Sequence, residues 1–269
     1  MEHLSGYLYR VRRNGRFYLF HQLPDLQKLE GFFSDAVYLC RTFSCPYMNN
    51  LAGIVYDSER QHVRGVLTKD TQHLRSLYDI LSRSDRVEDR IPVSVRLRWA
   101  VQVVTTLVAL SDVASSKHGN LTLKSIFLVP PEEEPNAQSP TFHVRVNPLT
   151  EYNVRVSSPM ADQIPVTTRP YLAPELMPPL VTGVPLWPYV SQGSDIYSIG
   201  PILWALAVYQ ANLPEVLPPL ETQMFGQPDS SNARRCFIRA VHACRAALGQ
   251  RVRDARLLLR MLQDNVVDG

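Results

Sequence analysis

The apolar positions change their spacing along the chain, and each change marks an element. Residues 7–11 and 16–23 predict two strands flanking Asn14-Gly15, a dipeptide suited to a two-residue hairpin turn. Residues 51–57 and 62–68 predict a second hairpin, around Asp57-Ser58-Glu59-Arg60. Between them, apolar residues at 26, 29, 32, 33, 36, 37, 39 and 40, with Asp25 as N-cap after Pro24, predict a helix over 25–43. After the second hairpin, from residue 68 to about 116, the pattern is helical, with Leu97, Val101, Val104, Leu107 and Leu110 on one stripe. Short strands follow at 126–129 and 142–146, separated by a Pro/Glu-rich loop over 130–135. Residues 147–193 are punctuated by proline and read as irregular. Helices are predicted over 194–210, 232–248 and 251–263.

A small β-rich part with one helix, about 1–70, thus precedes a larger helical part, about 71–269, with the boundary near 69–73 and no internal repeat. The chain has 269 residues, 45% of them apolar, enough for a buried core and too many for a mainly disordered, collagen-like or coiled-coil chain. The longest apolar run, around 199–208, falls short of the roughly 18–20 residues a membrane helix needs. Met1-Glu2-His3 lacks the apolar core of a secretory signal, which leaves a cytosolic protein or one whose signal has been trimmed.

The 12 glycines exclude several chemistries, since no two lie closer than seven residues. That spacing rules out the dinucleotide-binding and kinase glycine loops, the Walker A pattern and the G-x-S-x-G elbow. A net charge of +3 does not argue for nucleic acid. Arg10, Arg12, Arg13 and Arg16 read as a solvated hairpin edge, with a polyanion patch as the alternative. The four cysteines form no C-x-x-C, so no metal site is expected. Cys236 and Cys244 share a predicted helix and lie about 12 Å apart along it, too far to bridge. Cys40 and Cys45 read either as a disulfide or as two packed thiols.

Five stretches then occur in a fixed order. Cys45-Pro46-Tyr47-Met48-Asn49-Asn50-Leu51-Ala52-Gly53 resembles the lead into the fourth strand of a protein kinase. His118-Gly119-Asn120-Leu121-Thr122-Leu123-Lys124-Ser125 has the frame of the kinase catalytic loop, H-R-D-L-K-x-x-N. Asn147-Pro148-Leu149 stands where D-F-G belongs, Ala173-Pro174-Glu175 is an intact A-P-E, and Ser194-Asp195-Ile196-Tyr197-Ser198-Ile199-Gly200 resembles the start of the large buried helix. Their order and spacing imply an α+β, bilobal kinase-like fold over nearly the whole chain. Residues 64–129 further resemble the rhoptry kinase-like family of apicomplexan parasites, as do Val166-Thr167 and residues 209–217. The missing glycine loop resembles that family's with-no-glycine-loop branch of pseudokinases.

Phosphoryl transfer needs a defined set of charges. The catalytic-loop Asp is Asn120, whose amide cannot accept the substrate's proton. The loop Lys is Thr122 and the metal-binding loop Asn is Ser125. The D-F-G Asp is Asn147, a poor ligand for a hard cation, and Leu149 replaces that motif's glycine. His21 or Gln22 takes the place of the third-strand lysine, and Asp35 that of the helix glutamate. What survives is structural: Glu175 is expected to pair with Arg251 or Arg253, and Asp195 to accept N–H groups of the degraded loop. His118, Leu39, Leu51 and Pro148 match a hydrophobic spine. Asn120-Leu121-Thr122 is also an N-x-[ST] sequon, in a position too enclosed to favour a glycan.

The resemblance implies a catalytically inactive pseudokinase without cofactor or metal. It would act as scaffold or allosteric regulator on a protein partner, such as an active kinase relative. It also implies a secreted protein of rhoptry, dense granule, parasitophorous vacuole or cyst wall. An ATP-binding pseudokinase and a residual kinase are the rival readings. Residues 176–193, with Trp187 and Tyr189, and the loop 211–231 are the candidate contact surfaces.

Overall fold

The computed structural model describes residues 1–5, 8–22, 45–49, 51–59, 63–71, 74–82, 91–114, 117–130, 142–147, 166–182, 189–223, 231–247, 250–252 and 254–263. Five antiparallel strands form the first sheet: β1 (Glu2–Ser5), β2 (Leu8–Arg13), β3 (Arg16–Gln22), β4 (Leu51–Tyr56) and β5 (Val63–Lys69), ordered β1-β2-β3-β5-β4. Asn14 and Gly15 turn β2 into β3 with φ of 50° and 78°, the left-handed pair that a tight hairpin requires. Gly65 lies opposite Gln22, where a Cβ would stand 2.2 Å from the His21 carbonyl oxygen. Only glycine lets β5 approach β3 so closely.

β1 is absent from the sequence reading, which begins the first strand at residue 7. Its sequence, Glu-His-Leu-Ser, is short and mostly polar, so its strand state comes from pairing with β2, Glu2 opposite Arg10 and His3 opposite Tyr9. The pairing runs to Ser5 opposite Leu8, so only two residues connect β1 to β2.

A second sheet, ordered β6 (Arg75–Ser76), β7 (Ile126–Val129), β8 (His143–Val146), lies among the helices that follow. These are α1 (Leu77–Ser82), α2 (Val93–Ala114), α3 (Met177–Val181), α4 (Gln192–Val208), α5 (Leu220–Gln223), α6 (Ser231–Arg245) and α7 (Ala255–Gln263). The strands at 126–129 and 143–146 and the three C-terminal helices fall close to their expected places. The helix expected over 25–43, with Asp35, Leu39 and Cys40, lies outside the described residues. Cys45 is a buried free thiol, which decides against a bridge to Cys40, and Cys236 and Cys244 on α6 are free as well. Two short helices, α3 and α5, stand in stretches whose sequence reads as irregular or loop.

The core is built around α4, buried at every residue from Ser194 to Val208. Ser191 caps its start, accepting the Ser194 N–H at 3.1 Å while its own N–H reaches the Ser194 hydroxyl. Its C-terminus is capped from another helix. Arg96 of α2 is buried, and its Nη1 donates to the carbonyls of Leu206 and Ala207, orphaned where the helix ends at left-handed Tyr209. The stretch Val93–Asp112 of α2 is long and apolar enough to cross a membrane, although no unbroken apolar run marks it. Most of it is buried inside the protein, against α4, α7 and β8, as a core helix is.

Candidate functional site

Residues 45–49 run alongside β8. The Asn49 N–H donates to the Val146 carbonyl and the Val146 N–H to the Tyr47 carbonyl, both at 2.8 Å. This pairing brings Asn49, fully buried, against Asn147 at the end of β8. Asn49 Nδ2 donates to Asn147 Oδ1 at 2.7 Å and to the Lys69 carbonyl at 3.1 Å. Asn147 Nδ2 in turn donates to Thr71 Oγ1 at 3.2 Å. The backbone of Asn147 is also engaged: its N–H donates to the Ser125 carbonyl at 2.7 Å, and its carbonyl accepts from His118 Nε2 at 2.7 Å. Side chain and backbone of this one residue thus tie together the segment before β4, the exit of β5 and the loop before β7. Asn49 Oδ1 is buried with no hydrogen-bond partner among the described residues.

Residues 118–125 are held from both sides. Asp195, at the head of α4, accepts the His118 N–H at 2.7 Å and the Gly119 N–H at 2.8 Å. The His118 ring is buried; Nε2 faces a carbonyl and Nδ1 accepts the Asn120 N–H at 3.2 Å. Those partners require a neutral ring with its proton on Nε2. Ser125, also buried, spends its hydroxyl locally, accepting the Thr122 N–H and donating to the Thr122 carbonyl. Asn120 and Thr122 are half-buried beside it.

On the first sheet, His21 and Gln22 close β3 and are half-buried. His21 Nε2 lies 3.1 Å from Thr68 Oγ1 on β5, and burial pushes the ring's pKa down to about 4. The ring is therefore uncharged at neutral pH. Beyond β5, Asp70 takes an ion pair from Arg10 of β2 at 2.7 Å, across the same sheet face, with the guanidinium 4.3 Å over the Phe17 ring. Among the described residues no group of His, Cys, Asp and Glu is arranged to hold a metal ion.

Glu175 and Arg251 meet as a two-pronged pair, Nη1 to Oε1 at 2.6 Å and Nη2 to Oε2 at 3.2 Å. Arg251 Nη1 also donates to the Gly193 carbonyl at 2.8 Å, and the guanidinium lies 4.8 Å from the Tyr197 ring centre. The arginine, its side chain 2% exposed, anchors the start of α4 to the A-P-E motif.

Of the residues singled out in the sequence, the fold gathers His118, Asn147 and Ser125 into one cluster, with Gly119, Asn120 and Thr122 on the same loop. His21 and Gln22 stand on the sheet, and Glu175, Arg251 and Asp195 brace the helices. Pro148 and Leu149 lie outside the described residues. Sequence reasoning missed Asn49, Thr71, Arg96 and the Arg10–Asp70 pair. Asn49 sits inside a quoted motif, so a polar residue next to an apolar strand was a usable signal; Thr71 carried none.

An antiparallel five-stranded sheet, a helical second part built on α4, and a loop tied to the head of that helix define a protein-kinase-like fold. Solved structures agree. The chain resembles the kinase domain of PknI from Mycobacterium tuberculosis, with a TM-score of 0.61, 14% identity, and coverage of 96% of this chain and 90% of that one. It also resembles the kinase domain of maize SIRK1, a sucrose-induced receptor kinase solved with AMP-PNP, with a TM-score of 0.69, 18% identity, and coverage of 96% and 88%. No protein-family model and no curated protein matches the sequence.

Proposed function

We propose that this protein is a pseudokinase: it keeps the kinase fold, transfers no phosphate, and works by binding other proteins. The observation that carries this reading is Asn147. Where a kinase needs a metal-binding carboxylate, this chain has a buried neutral amide whose two polar atoms are already engaged by Asn49 and Thr71. Three further features support it. Asn120 offers no proton acceptor of carboxylate basicity, His21, one of the two residues offered in place of the third-strand lysine, is neutral, and the sequence holds no glycine-rich phosphate loop.

The rhoptry kinase-like resemblance carries the finer proposal. It makes the protein a secreted scaffold or allosteric regulator of a parasite vacuole or cyst wall, with an active kinase relative as partner. Its two lobes would meet near residue 70. The contact face is proposed around 176–193, where Met177, Val181 and Tyr189 are exposed.

A thermal-shift titration with ATP, with and without magnesium, tests the reading together with a radiolabelled-phosphate transfer assay. No ligand-linked stabilisation and no transfer are expected. Stabilisation without transfer would replace the reading with a nucleotide-binding pseudokinase. Transfer abolished by Asn147→Ala would make the protein an enzyme.

A further inference from the structure

We propose that one face of the first sheet, where Arg13, Arg16 and Lys69 stand in a row beside Arg145, is a docking surface for a doubly phosphorylated segment of a protein partner. This inference rests on the protein-binding part of the reading above and names the chemistry that such a partner would carry.

The four arginines of residues 10–16 divide between the two faces of the hairpin. Alternation along the strands sets Arg10 and Arg12 on one face, opposite Leu19 and Phe17. There Arg10 is balanced by Asp70, and both guanidiniums lie over the Phe17 ring. The other face carries Arg13 directly opposite Arg16, the pair that closes the turn. Two residues on, Tyr18 stands opposite Lys69 of β5, so Arg16 and Lys69 are diagonal neighbours, about 7–8 Å apart. Asn49 brings in the fourth cation. It donates its side-chain amide to the Lys69 carbonyl and its N–H to the Val146 carbonyl, which sets the end of β5 beside Arg145 of β8.

These cations crowd one another. Arg13, Arg16 and Lys69 are exposed and Arg145 is half-buried. Partial burial, then the charges of Arg145 and Arg16, push the Lys69 pKa down. Like charges set directly opposite in a sheet are destabilising, so a bound anion relieves a repulsion built into the free protein. Arg13 and Arg16 make no ion pair among the described residues, whereas Arg10 on the other face does.

The form of the row selects the anion. A phosphomonoester carries nearly two negative charges and three acceptor oxygens, enough for two facing guanidiniums, while a carboxylate satisfies one. In an extended segment, side chains two residues apart share a side at about 7 Å, which matches the separation of Arg16 from Lys69. A nucleic-acid strand draws its affinity from more phosphate contacts than four cations supply. A lipid surface favours apolar groups among the cations, and the exposed ring of this hairpin, Phe17, belongs to the opposite face.

The test uses dye-labelled decapeptides of Gly and Ala carrying a central phosphoserine-Gly-phosphoserine, Glu-Gly-Glu or Ser-Gly-Ser. Fluorescence polarisation reports affinity, and amide NMR shifts of Arg16, Tyr18 and Lys69 report the place of binding. The phosphorylated peptide is expected to bind at least tenfold more tightly than Glu-Gly-Glu, to weaken with salt, and to shift those amides. Arg13→Glu combined with Arg16→Glu is expected to lower its affinity to that of Ser-Gly-Ser, and Arg16→Gln alone to lower it in part. Both positions are exposed at a turn, and an unchanged denaturation midpoint verifies that the fold is intact. Equal binding of the phosphorylated and Glu peptides overturns the proposal, as does binding that survives the double charge reversal. Inorganic phosphate that saturates the same amides at the peptide's concentration makes this a free-anion site and overturns it too. Tighter binding of oligothymidylate or of phosphatidylserine vesicles at those amides has the same consequence. Radiolabelled ATP added to the Ser-Gly-Ser mixture separates the two readings. Labelling of its serines would end the non-catalytic reading, while the phosphate preference, measured without ATP, decides this one.

Discussion

Asn49 and Asn147, 98 positions apart in the chain, are joined side chain to side chain by a 2.7 Å hydrogen bond between two buried amides. It puts two neutral amides where the pseudokinase reading places a lost metal-binding carboxylate.

Replacing Asn147 with Leu is expected to cost about 1–3 kcal/mol, since it strands the Thr71 hydroxyl and removes one of two acceptors from Asn49. Asn147→Asp is expected to be destabilising as well, because it buries a charge whose side-chain partners among the described residues, Asn49 and Thr71, are neutral. Urea denaturation of both variants measures the cost. The stability of Asn147→Asp is expected to rise as the pH is lowered and the carboxyl takes up a proton.

The Glu175–Arg251 pair is expected to show the asymmetry of buried ion pairs. Arg251→Met leaves Glu175 without its counter-charge and frees the Gly193 carbonyl, at a cost of about 3–5 kcal/mol. Glu175→Gln keeps hydrogen-bonding capacity and is expected to cost less, since the Gly193 carbonyl still holds the guanidinium. A double-mutant cycle read by chemical denaturation checks both values and gives the coupling.

His21 predicts an acid-side loss of stability. Its ring takes up a proton near pH 6.5 when unfolded and only at about 4 when folded. Between these values the unfolded chain binds more protons, so stability is full above about pH 6.5 and falls as the pH drops towards 4. With ~1.4 kcal/mol per pH unit, and allowing for water at the half-buried ring, the loss is on the order of 1–2 kcal/mol. His143, pushed in the same direction by burial, adds to the slope. His21→Gln, which can still meet Thr68, is expected to flatten the profile over this window. Denaturant midpoints measured from pH 7.5 to 4 provide the check.

Much of the fold was legible in local pattern. Asn14-Gly15 specified a hairpin because its backbone angles suit few other dipeptides. The alternating segments at 51–56 and 63–69 and the three C-terminal helices followed from apolar spacing. Element ends were less legible, because they depend on remote groups. The end of α4 is satisfied by Arg96, 110 residues upstream of the Leu206 carbonyl it meets. β1 exists because β2 offers it an edge, and nothing in its own four residues demands a strand.

The candidate site divides along the same line. The chain by itself determined which residue types stand at the motif positions: amides at 120 and 147, no lysine in β3, and Glu175 and Asp195 retained. These are matters of identity, and no folding can add a carboxylate to an asparagine. Only the tertiary structure decided what those residues do. It turned Asn147 into a buried junction with Asn49 and Thr71, chose Arg251 as the partner of Glu175, lowered the pKa of His21, and set Lys124 on the Tyr78 ring. Each of these depends on which groups lie within a few ångströms and how much water is excluded. Those quantities arise when distant segments pack, so spacing along the chain does not carry them.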